Sequence, residues 1–187
     1  MKSNVCPWWQ AYFFDNKLRN LIHSPERLLS KYVKEGMVVL DVGCGMGYFS
    51  IGMAKLVGHS GCVISADLQP QMLEVLSKRA QKANVFNNIR PRLCKPDSIE
   101  VTESVDFVLA FWMVHEVPNT SEFFRQIVNI LKPEGNMLIA EPKIHVSFDR
   151  FMEIVAIAKD VGFQIIESPS IRFSRSVLLK SVEGQKG

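Results

Sequence analysis

Residues 38–50 read VVLDVGCGMGYFS, with glycines at 43, 45 and 47 directly after an apolar run. Glycine adopts positive φ angles and has no Cβ to keep a neighbour away, so this spacing bends the main chain close to something. An apolar strand that runs straight into such a turn and then into a helix places the turn at the carboxyl end of a parallel sheet, where open α/β folds bind ligands. A P-loop would need Gly-Lys-Ser/Thr, and no such sequence occurs. A dinucleotide fingerprint would need its third glycine at position 48, which is Tyr48. A tight turn without a ligand remains open, although three glycines in five residues exceed what turning requires.

Two carboxylates narrow the chemistry. Asp41 sits at the turn, where it would repel a pyrophosphate and attract an ammonium or sulfonium group. Asp67 closes the apolar run CVISAD, 20 residues after Gly47. A carboxylate there accepts hydrogen bonds from both hydroxyls of a ribose, or else caps the helix that Pro70 opens. Together they suit a ribonucleoside with a cationic appendage and no phosphate, a description that S-adenosylmethionine fits.

Those residues need a scaffold, and the pattern supplies one. Short apolar runs (MVVLD, CVISAD, NNIRPRLC, SVDFVLAFW, NMLIAEP) alternate with helix-length amphipathic segments, which predicts parallel strands joined by crossover helices. SPERLLSKYVKEG predicts a helix from Pro25 that stops at Gly36, and TSEFFRQIVNILKPEG one closed by Pro133 and Gly135. Pro91 cannot donate to a ladder, so the third strand belongs at an edge. The last two strands, FQIIES and SRSVLLKS, are joined by too short a link for a crossover and pair antiparallel.

The 187 residues favour one domain, residues 1–187, since roughly 100–200 residues per domain is usual. Its composition, 47% hydrophobic and 22% charged, is enough for a core without staples. A net charge of +3, with Lys and Arg scattered, argues against nucleic acid as a partner. Cys6, Cys44, Cys62 and Cys94 have no metal-ligand spacing with the histidines, so no metal site is expected and the thiols read as free, as in a cytoplasmic protein. No run reaches a membrane span of roughly 18 apolar residues, and the N-terminal VCPWWQAYFF lacks the features of a signal peptide.

The motifs LDVGCGMG, SAD, CKPDSI, VDFVLAFWMVHEVP and LKPEG before MLIAEP, in this order and spacing, resemble the class I S-adenosylmethionine-dependent methyltransferases. Within them the chain is most similar to the small-molecule branch that includes the ubiquinone/menaquinone biosynthesis type. The resemblance covers about Ser24 to Lys180. It implies an α/β Rossmann-like fold with a seven-stranded sheet of order 3-2-1-4-5-7-6, strand 7 antiparallel and helices on both faces. It implies S-adenosyl-L-methionine as cofactor, S-adenosyl-L-homocysteine as product and a small, apolar molecule as methyl acceptor. Carried over by position, it gives Asp41 the cofactor's amino group, directly or through water. Gly43, Cys44 and Gly45, in the turn that Gly47 completes, pass under the methionine part. Asp67 takes the ribose, and Leu68 packs on adenine. Asp97 accepts from the adenine amino group, the Ser98 N–H donates to the ring, and Phe111 contacts methionine. Each has a plainer alternative: Cys44 a small filler, Asp97 and Ser98 turn chemistry, Phe111 core.

The acceptor side is less defined. His115, in FWMVHEVP, is a candidate general base, or a structural residue of its loop, with Glu116 orienting it or facing water. The N-terminal segment 1–24, with five aromatics between Trp8 and Phe14, is either a cap on the core 25–187 or a lid over the site. As a lid it offers Trp9, Tyr12 or Phe13 to an apolar acceptor. His145 borders the same mouth. Base-amine methylation is disfavoured because Phe-Trp-Met-Val replaces the expected Pro-Pro-aromatic turn. A metal-dependent catechol chemistry has only Glu141 nearby, and arsenite chemistry lacks clustered cysteines. Two other classes stay in view: a cofactor-binding module that serves a partner protein without activity of its own, and a nicotinamide-dependent oxidoreductase.

Overall fold

The computed structural model describes residues 23–182. Seven strands form one sheet of order β3-β2-β1-β4-β5-β7-β6. They are β1 (Val38–Val42), β2 (Cys62–Asp67), β3 (Ile89–Leu93), β4 (Val105–Phe111), β5 (Leu131–Pro142), β6 (Phe163–Glu167) and β7 (Ser174–Ser181). The first five pair in parallel, and β7 runs antiparallel to both β5 and β6. Pro91 lies in β3, the edge strand where its missing N–H costs no ladder bond.

The helices are α1 (Pro25–Leu29), α2 (Tyr48–Val57), α3 (Pro70–Lys82), α4 (Thr120–Ile130) and α5 (Phe148–Asp160). Alternation along the strands sorts them into two layers. Leu40, Val42, Ile64, Val108 and Ile139 meet Phe124 and Ile127 of α4 and Ile154 and Val155 of α5. Val39, Val63, Phe107, Leu109 and Leu138 face the other way, onto Leu29, Phe49, Met53, Leu76 and Ala80 of α1, α2 and α3.

Two boundaries differ from the sequence reading. The helix from Pro25 stops at Leu29 rather than Gly36. Tyr32 stacks on Phe107 with ring centroids 6.0 Å apart and donates to Glu167 at 2.7 Å, so packing against the sheet outweighs helical propensity. The helix from Thr120 ends at Ile130, and Leu131 already pairs with Val105 in β5. The Lys132–Gly135 stretch then falls where the register shifts before Asn136 meets Phe107, which is bulge behaviour rather than a helix cap.

Candidate active site

The turn between β1 and α2 holds all three glycines at positive φ: +69° at Gly43, +53° at Gly45 and +83° at Gly47. Their reasons differ. A Cβ on Gly43 would lie 2.8 Å from Met113 Cγ, and one on Gly47 2.0 Å from Leu76 Cδ1. These two glycines therefore let the turn pack against the loop after β4 and against α3. Gly45 has nothing within 4 Å of its Cβ position. It is the one glycine of the turn whose bare face is turned to open space, as a ligand cradle requires.

Asp67 is fixed to that face. Its Oδ2 accepts from the Gly45 N–H at 2.8 Å and its Oδ1 from the Gln69 N–H at 2.9 Å. Burial raises its pKa above the ordinary value, and the backbone donors of Gln69, Gly45 and Leu68 oppose that shift. Each carboxylate oxygen keeps capacity for a further donor. The backbone contacts of Asp67 thus leave room for a ligand donor beside them. Leu68 beside it is 37% exposed, an apolar surface available to a planar ring.

Asp41 is buried on the α2 face of β1, the face that alternation shares with Ser65 of β2. The Ser50 hydroxyl donates to it at 2.5 Å, and the Ser65 hydroxyl donates to Ser50 at 2.9 Å. A carboxylate held this way sets negative charge behind the glycine turn. Cys44 feels it: burial, with Asp41 and Asp67 adding, pushes the thiol well above its usual pKa, so it stays protonated and serves as a small filler. Cys94, at the end of β3, is pushed up to about 12 by burial and the Asp67 charge.

The 95–99 loop stands at the other side of Asp67. Asp97 is exposed, while the Ser98 N–H donates to the Lys95 carbonyl at 3.2 Å and the Ser98 hydroxyl accepts from the Glu100 N–H at 3.2 Å. In this geometry the Ser98 N–H is already used, and the Asp97 carboxylate is the group facing solvent. Gln126 of α4 clamps the loop, donating to the Asp97 carbonyl at 2.8 Å and accepting from the Ile99 N–H at 2.9 Å. Nothing in the sequence around Gln126 signals this role.

Past β4 the chemistry changes to aromatic side chains and one histidine. Phe111 packs on Phe49 with centroids 4.3 Å apart, and on Trp112 and His23 at 5.2 and 5.4 Å. Trp112 has φ +62°, a costly angle for a bulky residue, held by its N–H to Ala140 at 2.7 Å and its indole N–H to Ser174 at 2.8 Å. His115 lies in a short 3-10 turn, Val114–Glu116. Its Nδ1 donates to Glu141, a fully buried carboxylate whose other oxygen accepts from the Val114 N–H at 2.8 Å. Glu116 stands 3.9 Å from Nε2 and does not hold the ring. The orienting carboxylate is Glu141, which the sequence shows as a lone acid ending an apolar strand, the same signature as Asp41 and Asp67. The hydrogen bond from Glu141 raises the His115 pKa, and burial partly offsets it. His145 is exposed on the turn after β5.

Among the described residues, no group of three or more His, Cys, Asp or Glu could hold a metal ion. The aromatics Trp9, Tyr12 and Phe13 lie outside the described residues.

A sheet of this order, with a glycine turn after β1 and acidic ends on β1 and β2, is the Rossmann-like fold of class I methyltransferases. Residues 33–168 match the methyltransferase domain family, and the chain belongs to that family. The chain is 27% identical over 168 residues to a demethylmenaquinone methyltransferase of Lactobacillus johnsonii, an alignment covering 83% of this chain and 69% of the relative. It is 31% identical over 138 residues to a ubiquinone biosynthesis O-methyltransferase of Xanthomonas oryzae, covering 71% of this chain and 55% of that one. In structure it resembles a SAM-dependent methyltransferase from Aquifex aeolicus, with a TM-score of 0.86 at 23% identity over 95% of this chain and all of the other. The chain thus spans little more than half the length of the second relative.

Proposed function

We propose that the protein is an S-adenosylmethionine-dependent enzyme that methylates a small, apolar acceptor, acting as one domain over residues 1–187 in the cytoplasm. The observation that carries this reading is the open face of Gly45, joined by its own N–H to Asp67 at the carboxyl end of the sheet. The donor set fits the cofactor. It offers a phosphate-repelling carboxylate behind the turn, a second carboxylate with spare acceptor capacity for two hydroxyls, and Leu68 and Asp97 at the far side for a purine. When bound, the cofactor supplies an electrophilic methyl group on a sulfonium.

The protein's part is to place and prepare the acceptor. Gly43, Cys44, Gly45 and Gly47 set the cradle, and Asp41 gives it negative charge. Phe111 and Trp112 give an apolar wall beside it. His115, with its proton fixed on Nδ1 by Glu141, keeps Nε2 free of a proton, with the Glu116 carboxylate 3.9 Å from it. That nitrogen can take a proton from a hydroxyl or amine acceptor. Holding the acceptor in line is worth up to roughly 7–11 kcal/mol in well-oriented cases. The relatives named above act on quinone precursors by their names, which agrees with an apolar acceptor here. A binding module without activity gains no support from relatives that are named enzymes.

Calorimetry with S-adenosylhomocysteine tests the reading. The expected result is one site per chain, strongly weakened in Asp67→Ala. A well-folded protein that binds no adenosyl cofactor overturns it.

A further inference from the structure

Four large apolar side chains stand in solvent along one edge of the molecule. Ile144, 87% exposed, is on the turn between β5 and α5; Phe148 and Met152 lie one helical turn apart on α5; Phe173 ends the segment before β7. These segments are tied together. The Lys143 N–H donates to the Phe173 carbonyl at 2.9 Å, and the Arg175 guanidinium donates to the Val146 carbonyl at 2.9 Å. The edge borders the acceptor end of the site, because Ser174 takes the Trp112 indole N–H.

Apolar groups that protrude from a turn and a helix start, rather than filling a groove, mark a surface made to enter another phase. The charge around them agrees. Lys143, Arg150, Arg172 and Arg175 belong to the same segments, against the carboxylates Asp149 and Glu153. Glu153 is already paired with Arg150 at 2.9 Å. The Arg172 guanidinium lies over the Phe173 ring, 5.0 Å from its centroid. A second copy of the chain would set these cations against their equivalents, which disfavours self-association through this edge. Anionic lipid headgroups would meet them with opposite charge. His23 Nε2 meets the Arg172 carbonyl at 2.6 Å at the same edge.

We propose that this edge docks on an anionic lipid bilayer, Ile144, Phe148 and Phe173 entering the headgroup region while Lys143 and Arg172 meet lipid phosphates. The surface alone carries this, so it stands apart from the identity of the acceptor. Docked so, the acceptor end of the site faces the membrane, and an apolar acceptor reaches it without crossing water.

Flotation of the full chain with vesicles tests it. Wild type should float with vesicles of phosphatidylcholine and phosphatidylglycerol at low salt, and be released at high salt or with phosphatidylcholine alone. The double variant Ile144→Asp/Phe148→Asp should lose about ten-fold or more of that binding while its S-adenosylhomocysteine affinity is unchanged. Should that variant misfold, the surface pair Lys143→Glu/Arg172→Glu reads the same loss. Wild type that stays with the soluble fraction overturns the proposal. Variants that float as well as wild type overturn it too, as does a wild-type dimer that the apolar variant disperses without any vesicle binding.

Discussion

The proposed cofactor end and the proposed acceptor end of the site are built by different means. The cofactor end, between β1, β2 and the 95–99 loop, is made of backbone angles, N–H groups and two carboxylates, and its central contact joins residues only 22 apart, Gly45 and Asp67. The acceptor end is made of side chains brought from far along the chain. His115 meets Glu141 across 26 residues, Trp112 meets Ser174 across 62, and His23 meets Arg172 across 149. A backbone cradle is intolerant of a Cβ at its glycines. A side-chain pocket can be reshaped one residue at a time without disturbing the cradle. One fold can therefore keep its cofactor and change its acceptor.

The largest expected effect lies at the cofactor end. Asp67→Ala removes charge-assisted hydrogen bonds to two hydroxyls, each worth about 1.5–3 kcal/mol, so calorimetry should show S-adenosylhomocysteine binding weakened about 100-fold or more. Unchanged affinity would break the contrast at its centre. Next come the glycines, which should separate. Gly47→Ala sets a methyl 2.0 Å from buried Leu76 Cδ1 at φ +83°, so thermal or urea unfolding should register a loss of about 2–4 kcal/mol. Gly45→Ala meets nothing in the fold and should cost only about 1 kcal/mol through its φ, yet its methyl enters the cradle and lowers cofactor affinity about ten-fold. If both variants lose stability alike, the turn has no open face.

This division explains what was legible in advance. Sheet order, the edge position of β3 and the antiparallel β7 followed from apolar periodicity, Pro91 and the short final link, together with the family resemblance, because these are local signals or come as one pattern. The glycine turn at the proposed cofactor end could be read for the same reason, and the structure adds that a Cβ on Gly43 or Gly47 would meet Met113 or Leu76, so these two glycines also serve packing. Helix ends failed where a tertiary contact overruled local preference, as Tyr32 does by stacking on Phe107. At the acceptor end His115 was visible as a type, but its partner was not. Glu116 is adjacent in sequence and Glu141 is adjacent in space, and only the pairing of β4 with β5 decides between them. Gln126 was invisible, since a glutamine on a helix carries no mark of the loop it will hold.

Glu141→Gln tests the acceptor end without touching the cradle. Gln keeps an oxygen for the Val114 N–H but presents an N–H to His115, which moves the ring proton to Nε2 and removes the bare nitrogen. Methyl transfer to a hydroxyl or amine acceptor should fall, while S-adenosylhomocysteine affinity stays as in wild type. The titration reads the same change. The Glu141 bond raises the folded pKa of His115 above its unfolded value, so its stabilisation is complete below the ordinary histidine value and is lost as pH rises through the folded pKa. In the variant, imidazole NMR should show the His115 midpoint at lower pH, and stability should lose that part of its pH dependence. A midpoint that does not move would mean that Glu141 is spectator rather than partner.

The smallest effect expected is at Gln126, and it sharpens the comparison because it is a side-chain contact at the backbone-built end. Gln126→Ala removes two neutral hydrogen bonds to an exposed loop that water can partly replace, so the stability loss should be about 1 kcal/mol. If the 95–99 loop bounds the purine, freeing it lets Asp97 wander, and S-adenosylhomocysteine affinity should drop a few-fold. S-Adenosylhomocysteine titrated beside an analogue lacking the purine amino group makes the readout specific. The gap between the two ligands should shrink in the variant, since the group that tells them apart is the one no longer held. A gap that persists at full size would mean that Asp97 is positioned by its own turn, and that even this corner of the cofactor end depends on backbone alone.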